Sequence, residues 1–238
     1  MGPPDAVLMA HPKAGYRNKD GERVRGVTTV IGRFKDSGGL LYWAFNQGKA
    51  AERGEIEKLY DKRDEAGESG TLAHSMVEAN INGDDPGLVL VAYKYRDPAI
   101  THAIKRDAKQ AFKSYLNWAS MTKLEIVEQE MPMVSEKYQF GGCPDAIGEI
   151  NGELCLVDWK TSNGVYPDYL IQLAAYKQLW EENNPDRPLT GGFHLCRFAK
   201  SHGDFAHHYY PNLDEAWEQF KLFLKAYEID KGLKKRAA

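Results

Sequence analysis

The spacing of apolar residues along the chain changes near residue 123, and this change separates predicted helices from a predicted sheet. Before it, apolar residues recur at helical spacing, and we predict helices over residues 40–66, 71–80 and 98–119. Thr71 is a suitable N-cap for the second helix. The third helix has an apolar face formed by Ile104, Ala108, Phe112, Tyr115 and Leu116. Residues 15–33 are interpreted as a hairpin that turns at Lys19-Asp20-Gly21 and continues into a β-branched run.

After residue 123, short β-branched and alternating runs replace the helical spacing. They predict strands over residues 124–134, 138–150, 153–161, 191–198 and 204–210. A helix is predicted from Pro167 to about Glu182, and Asn212 can cap a final helix. This order predicts an α/β fold with helices on both sides of a central mixed sheet. We expect an N-terminal hairpin and helical cap over residues 1–69 and a core over residues 70–238, as one compact domain overall.

The dipeptide Asn151-Gly152 between two of these strands is a strong signal for a two-residue hairpin turn. Ile150 would then pair with Glu153, and the same register places Asp145 directly opposite Asp158. Their Cβ atoms would lie about 5 Å apart on one face of the sheet, where like charges destabilise the pairing. Either one carboxyl group binds a proton or a cation lies between the two.

Lys160 projects from the same face as Asp158, because side chains alternate along a strand with a period of two. Two carboxylates that hold a divalent cation beside an ammonium form a site suited to phosphate hydrolysis. The metal polarises the phosphate and lowers the pKa of a bound water, and the ammonium offsets the developing charge. A bare Asp-x-Lys triplet is also common at solvated strand ends, and the chain has another at Asp107-Ala108-Lys109. The opposition to Asp145, which depends on the hairpin register, favours the chemical interpretation.

The composition narrows the possible partners and compartments. The net charge of −3, from 31 Lys and Arg against 34 Asp and Glu, gives no general attraction to nucleic acid or anionic lipid. Nucleic-acid binding would therefore need a local basic patch or bound metal ions. No apolar run reaches the roughly 20 residues of a membrane helix, and the three cysteines are too few and too scattered for a disulfide framework. We expect a soluble, cytoplasmic protein of a bacterium or a phage-infected host, with no membrane partner.

Four short motifs follow one another across residues 70–176. They are GTLAHSMVE with His74, GGCPD ending at Asp145, DWK at residues 158–160, and QLAAY from Gln172 to Tyr176. Together they resemble the PD-(D/E)xK nuclease superfamily and, within it, the RecB-like exonuclease branch. The resemblance implies a restriction-endonuclease-like core, preceded here by a helical N-terminal cap. Relatives with an iron–sulfur cluster hold it with four cysteines that this chain lacks, so no such cluster is expected.

The resemblance also implies an active site that uses Mg²⁺ or Mn²⁺, as one or two ions. Asp145, Asp158 and Lys160 would be the catalytic residues. The metal ligands would be His74, Asp145, Asp158 and the backbone carbonyl of Trp159, with Glu78 or Glu130 as a further candidate. Strand alternation places Glu128 and Glu130 on one face and does not choose between them.

Several residues are candidates for DNA binding. They are Gln172, Tyr176, Thr161, Ser162, Lys105, Lys109 and Lys113. The three lysines recur every four residues, which places them on one side of a helix, and such a stripe is also typical of a solvated face. The C-terminal segment KGLKKR forms a second basic cluster, which we expect to be mobile. Three aromatic residues of the cap fit a small core better than a surface that stacks on bases: Trp43, Phe45 and Tyr60.

The sequence thus predicts a metal-dependent DNA exonuclease that acts on single-stranded or duplex DNA ends. No helicase motif is visible, so the resemblance is to small stand-alone exonucleases of phages and organelles, and a single-strand-binding or annealing protein is a compatible partner. A structure-specific or restriction-type endonuclease is the alternative within the enzymes. A DNA-binding module without activity is a further alternative, but such modules usually lose an aspartate or the lysine.

Overall fold

A computed structural model describes residues 15–35, 38–55, 61–94, 98–198 and 204–237. Its helices are α1 (Val27–Phe34), α2 (Gly38–Glu52), α3 (Asp61–Ile81), α4 (Pro86–Ala92), α5 (Pro98–Thr122), α6 (Pro167–Asn183) and α7 (Asp214–Ala237). Its strands are β1 (Arg25–Gly26), β2 (Glu125–Gln129), β3 (Met133–Ser135), β4 (Phe140–Gly142), β5 (Ala146–Ile150), β6 (Glu153–Lys160), β7 (Phe193–Phe198) and β8 (Phe205–Tyr210). This mixed α/β architecture confirms the predicted fold class.

The main sheet has five strands in the order β2-β5-β6-β7-β8. Strands β6 and β7 are parallel, and the other neighbours are antiparallel. Strands β5 and β6 form the predicted hairpin, with Ile150 opposite Glu153 and Ala146 opposite Val157. Asn151 and Gly152 have φ values of 56° and 78°, as a two-residue turn of this type requires. The hairpin register predicted from the sequence is therefore confirmed.

Two apolar layers cover the two faces of this sheet. Leu156 of β6 packs in one layer with residues of α1, α6 and α7 such as Val30, Leu173 and Phe220. Val157, the next residue, packs in the other layer with residues of α3 and α5. The alternation along β6 therefore places the even-numbered side chains on the α6 side and the odd-numbered ones on the α3 side.

The N-terminal region differs from the prediction after its first turn. The turn itself is present, with a bridge between Arg17 and Arg23. The β-branched run that follows forms helix α1 and buries Val27, Val30 and Ile31 against the core. The spacing of these three residues suits one face of a helix, and this tertiary packing outweighs their preference for strands.

Helix α3 is longer than predicted because it continues through the segment GESG. Thr71 lies inside the helix, where its hydroxyl donates to the carbonyl of Gly67 at 3.2 Å, so its assignment as an N-cap was wrong. The expected boundary between residues 69 and 70 falls within α3 and coincides with no break in secondary structure. At Gly70 a Cβ atom would lie 2.7 Å from Oγ1 of Thr161, so a glycine allows α3 to approach the end of β6 closely.

The first two predicted strands are each divided in two. The first breaks after β2, where Glu130 has a positive φ of 47°, and the second breaks between β4 and β5. Strands β3 and β4 join β1 in a second, three-stranded sheet. Leu116 is 41% exposed and is not part of the buried face of α5, and the C-terminal basic segment forms the last turns of α7. No helix within the described ranges has the length and apolar character needed to cross a membrane.

Candidate active site

The carboxyl end of β6 carries a buried ion pair. Asp158 is 1% exposed, and its Oδ1 accepts a hydrogen bond of 2.8 Å from Nζ of Lys160. Oδ2 of the same carboxylate lies 2.7 Å from Nζ. Within the described chain this second oxygen has no partner with hydrogen-bond geometry. Lys160 thus lies on the face of Asp158, as the strand period predicts.

Asp145 lies just before β5 and reaches across to β6. The regular pairing of the hairpin ends at Ala146 and Val157, one step before the expected pair of aspartates. The Asp145 side chain instead accepts a hydrogen bond of 3.0 Å from the backbone N–H of Trp159. The two carboxylates are close enough that Asp145 contributes to raising the pKa of Asp158.

His74 approaches the same group from α3. Its Nδ1 lies 3.7 Å from Oδ1 of Asp145, and its ring is hydrogen-bonded to the backbone of Trp159. Burial, followed by the charge of Lys160, lowers the pKa of His74 to about 4. The imidazole is therefore neutral near pH 7, so its contact with Asp145 is not an ion pair. Neutral imidazole is also the form that binds metals.

The charges of this cluster depend on one another. Burial raises the pKa of Asp158, and the nearby Lys160 only partly offsets that effect. Burial alone would lower the pKa of Lys160, but the carboxylates of Asp158 and Asp145 outweigh it and raise this pKa above its ordinary value. Lys160 is therefore an ammonium near neutral pH, suited to stabilising negative charge rather than to accepting a proton.

A second pair of carboxyl groups lies beside Asp145. The side chains of Glu78 and Glu130 are hydrogen-bonded to each other. Burial, then the charges of Glu78 and Asp145, raises the pKa of Glu130 to about 7. Glu128 instead lies 3.8 Å from Arg187. Glu128 thus contacts a residue that follows α6, whereas Glu130, which lies past the end of β2 with a positive φ, contacts Glu78 of α3. The expectation from alternation that the two glutamates share one face was wrong.

The donor atoms near Asp158 suit a hard divalent cation. Two carboxylates, a backbone carbonyl and an imidazole are ligands that Mg²⁺ and Mn²⁺ accept. Among the described residues, no three or more His, Cys, Asp and Glu side chains are arranged as a complete metal site. The buried Oδ2 of Asp158, which lacks a hydrogen bond, is the atom that a cation would satisfy. The residues thus fit such a metal by donor type.

Gln172 and Tyr176 of α6 act as a pair. The amide of Gln172 donates a hydrogen bond of 2.8 Å to the hydroxyl of Tyr176. Tyr176 is 2% exposed and packs against Gly142, where a Cβ atom would lie 2.6 Å from its ring. Its pKa is raised well above the usual value, mainly by burial and also by Asp145 and Asp158. Tyr176 is thus a buried partner of the partly exposed Gln172, and its contact with DNA stays a prediction.

The remaining predicted DNA-binding residues lie in different surroundings. Thr161 is partly buried against α3, and the hydroxyl of Ser162 donates to the carbonyl of Gly164 at 2.7 Å. Lys109 and Lys113 are exposed, whereas Lys105 donates to a backbone carbonyl of α4.

The small aromatic core expected for the cap can be assessed at two of its three residues, Trp43 and Phe45. Phe45 is 60% exposed, with Nζ of Lys49 at 4.5 Å from its ring centre, and Trp43 is partly buried. Tyr60 lies outside the described residues. The expectation of a core was therefore wrong for Phe45.

One residue near the site escaped the sequence analysis. Nζ of Lys160 lies 5.3 Å from the ring centre of Tyr169. Tyr169 precedes Gln172 by three residues on α6, so it shares a helix face with a residue of the QLAAY motif. That spacing is the signal that could have identified it.

Comparison with known proteins adds a family to this geometry. A profile of the PD-(D/E)XK nuclease superfamily matches residues 49–231. Among solved structures, an Eubacterium rectale protein provisionally described as an exonuclease is 14% identical with a TM-score of 0.40, over 65% of this chain and 64% of that protein. The protein SSO0001 is 16% identical with a TM-score of 0.27, over 63% of this chain and 72% of that protein. These TM-scores are too low to carry an argument. A search of curated proteins found no match.

Proposed function

Because the chain belongs to the PD-(D/E)XK nuclease superfamily, whose members generally use divalent metal ions, we propose that it is a Mg²⁺- or Mn²⁺-dependent DNA exonuclease. The observation that carries the proposal is the buried pair of Asp158 and Lys160 beside Asp145. A buried ion pair is weak evidence for stability, because removing two charges from water offsets most of their attraction. Such a pair next to another carboxylate is better explained by chemistry.

In the proposed site, four groups would hold the metal: the carboxylates of Asp145 and Asp158, the carbonyl of Trp159 and the imidazole of His74. The bound ion would supply Lewis-acid polarisation of the phosphate and a water of lowered pKa. The N–H of Trp159 fixes the Asp145 carboxylate from behind, which leaves that carboxylate little freedom to rotate. The hydrogen bond to the Trp159 backbone similarly orients the ring of His74.

Lys160 would act on the substrate. As an ammonium, it would donate hydrogen bonds to a non-bridging oxygen of the scissile phosphate, where negative charge develops. Water would supply the oxygen that bonds to phosphorus while a P–O bond to the leaving nucleotide breaks. Gln172, held by Tyr176, would contact the neighbouring backbone of the strand.

We propose an exonuclease because the His74 helix and the Gln172–Tyr176 pair resemble the RecB-like branch. The test is a time course on end-labelled linear DNA, single-stranded and duplex, beside a circular single strand and a circular duplex, with Mg²⁺ or Mn²⁺. We expect nucleotides to be released from linear ends while both circles stay intact. Cleavage of a circle as fast as of the linear form would indicate an endonuclease, and the Lys160→Ala variant controls for contaminating activity.

A further inference from the structure

Aromatic rings extend from the candidate active site along the start of α6. The ring of Tyr169 lies beside Nζ of Lys160, and Tyr166 packs edge-on against it at 5.6 Å between ring centres. Tyr166 is 47% exposed. An exposed ring next to a phosphate-binding lysine can stack on an unpaired base, which is the usual contact of proteins that hold single strands.

Positive charge continues from these rings toward α1. Lys35, directly after α1, forms an ion pair of 2.9 Å with Asp168, which lies between the two tyrosines in sequence. The side chain of Lys35 is 56% exposed. Its ammonium therefore remains available to an anion that passes over the start of α6.

The path ends in a cationic cleft between α1 and α7. A cavity of about 380 Å³ is lined by Arg33, Tyr227, Asp230, Lys231, Lys234 and Lys235. Asp230 forms ion pairs with Arg33 at 3.0 Å and with Lys234 at 3.3 Å. Lys231 also lies 4.0 Å from Glu228, which is 3.5 Å from Arg25. Five cations thus face two carboxylates around the cleft in a protein whose net charge is −3.

The negative ends of helix dipoles balance only part of the positive charge in the cleft. Basic residues near the C-terminal end of a helix stabilise it, and both α1 and α7 end near the cleft. Each helix end carries roughly half a negative charge, so the two ends, Asp230 and Glu228 together balance about three of the five cations. A surplus of about two positive charges remains.

We infer that this surface, which we call the cationic band, binds the phosphodiester backbone of the DNA strand that extends from the site of cleavage. The band comprises Tyr166, Tyr169, Lys35, Arg33, Lys231, Lys234 and Lys235. The inference rests on the proposed function, because it takes Lys160 as the end of the path. Tyr166 stacks on a base near the site, and the cleft holds phosphates further along the strand.

The main test removes the lysines of the cleft. The variant is Lys231→Ala/Lys234→Ala/Lys235→Ala, and alanine preserves the helix. The matched control, Lys19→Ala/Lys94→Ala/Lys137→Ala, removes the same charge from exposed lysines elsewhere. Binding of fluorescent single strands of increasing length is measured in Ca²⁺ over a range of salt. For long strands, the cleft variant should lower the slope of log affinity against log salt by about two, as expected for three lost phosphate contacts. For the shortest strand that binds, the affinity should change equally in the two variants.

A second variant tests the path between the site and the cleft. Tyr166→Ala alters an exposed side chain and should weaken single-strand binding by about 5-fold or more, the effect of losing one stacked base. Equal salt slopes for the cleft variant and its control, with unchanged binding by Tyr166→Ala, would overturn the inference. So would anionic vesicles whose binding, unlike that of DNA, depends on the cleft lysines. Cleavage is measured separately in Mg²⁺. A parent protein that binds DNA without cleaving it contradicts the proposed function but leaves the binding comparison valid.

Discussion

Strands β6 and β7 are parallel neighbours in the middle of the sheet, yet their buried side chains differ in charge. Their register places Asp158 beside Leu195 and Lys160 beside Arg197. Leu195 is fully buried in the apolar layer on the α6 side. Asp158 is as deeply buried and is paired with the ammonium group of Lys160.

The polar side chain buried in β7 is uncharged. His194 is 8% exposed, and burial, then the adjacent His207, lowers its pKa to about 4. Its Nδ1 lies 2.8 Å from Nε2 of His207, a distance that suits one shared hydrogen bond between neutral rings. A strand can therefore bury polar atoms as neutral groups, and β6 has its buried charges only at the end where the candidate active site lies. The proposed function would explain why this buried ion pair is retained, since such a pair adds little to stability.

The sharpest test of this contrast removes the ammonium from β6. Lys160→Ala should lower the rate of DNA cleavage by about 10³-fold or more, because the developing charge on the phosphate loses its partner. Binding of DNA in Ca²⁺ should change by only a few fold, since a single phosphate contact is lost. Single-turnover cleavage and equilibrium binding measure the two effects.

The neighbouring strand supplies the control. Arg197 is in register with Lys160 but lies on β7, so Arg197→Ala should retain cleavage within a few fold of the parent. A loss as large as that of Lys160→Ala would show that positive charge at this sheet edge acts in general and not through one positioned ammonium.

A smaller loss is expected at the metal-binding side of the site. His74→Ala removes one ligand and the hydrogen bond to the Trp159 backbone, and should raise the Mn²⁺ concentration needed for half-maximal cleavage by about 10–100-fold. High Mn²⁺ should restore much of the rate. His102→Ala, an exposed histidine of α5, should leave the Mn²⁺ titration unchanged. Unchanged metal dependence in His74→Ala would assign that histidine a structural role.

Local signals explain which parts of the architecture the sequence could predict. The Asn151-Gly152 turn fixes the hairpin register without help from other residues, and the family profile confirms the resemblance based on motifs around it. Helix α1 was misread because the preference of valine, isoleucine and threonine for strands is weak beside the burial of one helix face. Helix α3 was cut short because glycine and serine usually mark loops, whereas Gly70 serves close packing here.

In the candidate site, too, local sequence patterns predicted some positions, whereas others depend on contacts between distant parts of the chain. The strand period alone placed Lys160 beside Asp158. The choice between Glu128 and Glu130 depended on their contacts with Arg187 and Glu78, which are tertiary contacts that strand alternation cannot predict. Tyr169 reaches Lys160 only through the docking of α6 on the sheet, so its role required the tertiary structure.

A stability experiment uses a variant in which the buried end of β6 is uncharged, as it is in β7. The double variant Asp158→Leu/Lys160→Met replaces the buried ion pair by apolar side chains of similar size. Without metal, its free energy of unfolding should equal that of the parent or exceed it by about 1–4 kcal/mol, while cleavage is abolished. Asp158→Leu alone leaves the ammonium unpaired and should be less stable by about 3–5 kcal/mol. Denaturant unfolding in EDTA measures both, and a double variant no more stable than the single one would mean that the ion pair supports the fold.

The smallest expected effect tests the neutral histidine pair of β7. Because the pKa of His194 is about 4 in the folded protein and about 6.5 when unfolded, only the unfolded chain gains a proton as the pH falls from 6.5 toward 4. The stability due to a neutral His194 is therefore complete above pH 6.5 and is lost below it.

The variant His194→Phe keeps an aromatic ring against Tyr209, whose ring centre lies 5.0 Å away, and removes the titrating group at residue 194. Its melting temperature should fall less than that of the parent between pH 7 and pH 5, in metal-free buffer. His74 and His207, whose pKa values are lowered in the same direction, remain in the variant, so part of the decrease should persist. Substitution of the exposed His102 by alanine should leave the decrease unchanged, and parallel curves for His194→Phe and the parent would show that His194 already accepts a proton in the folded protein.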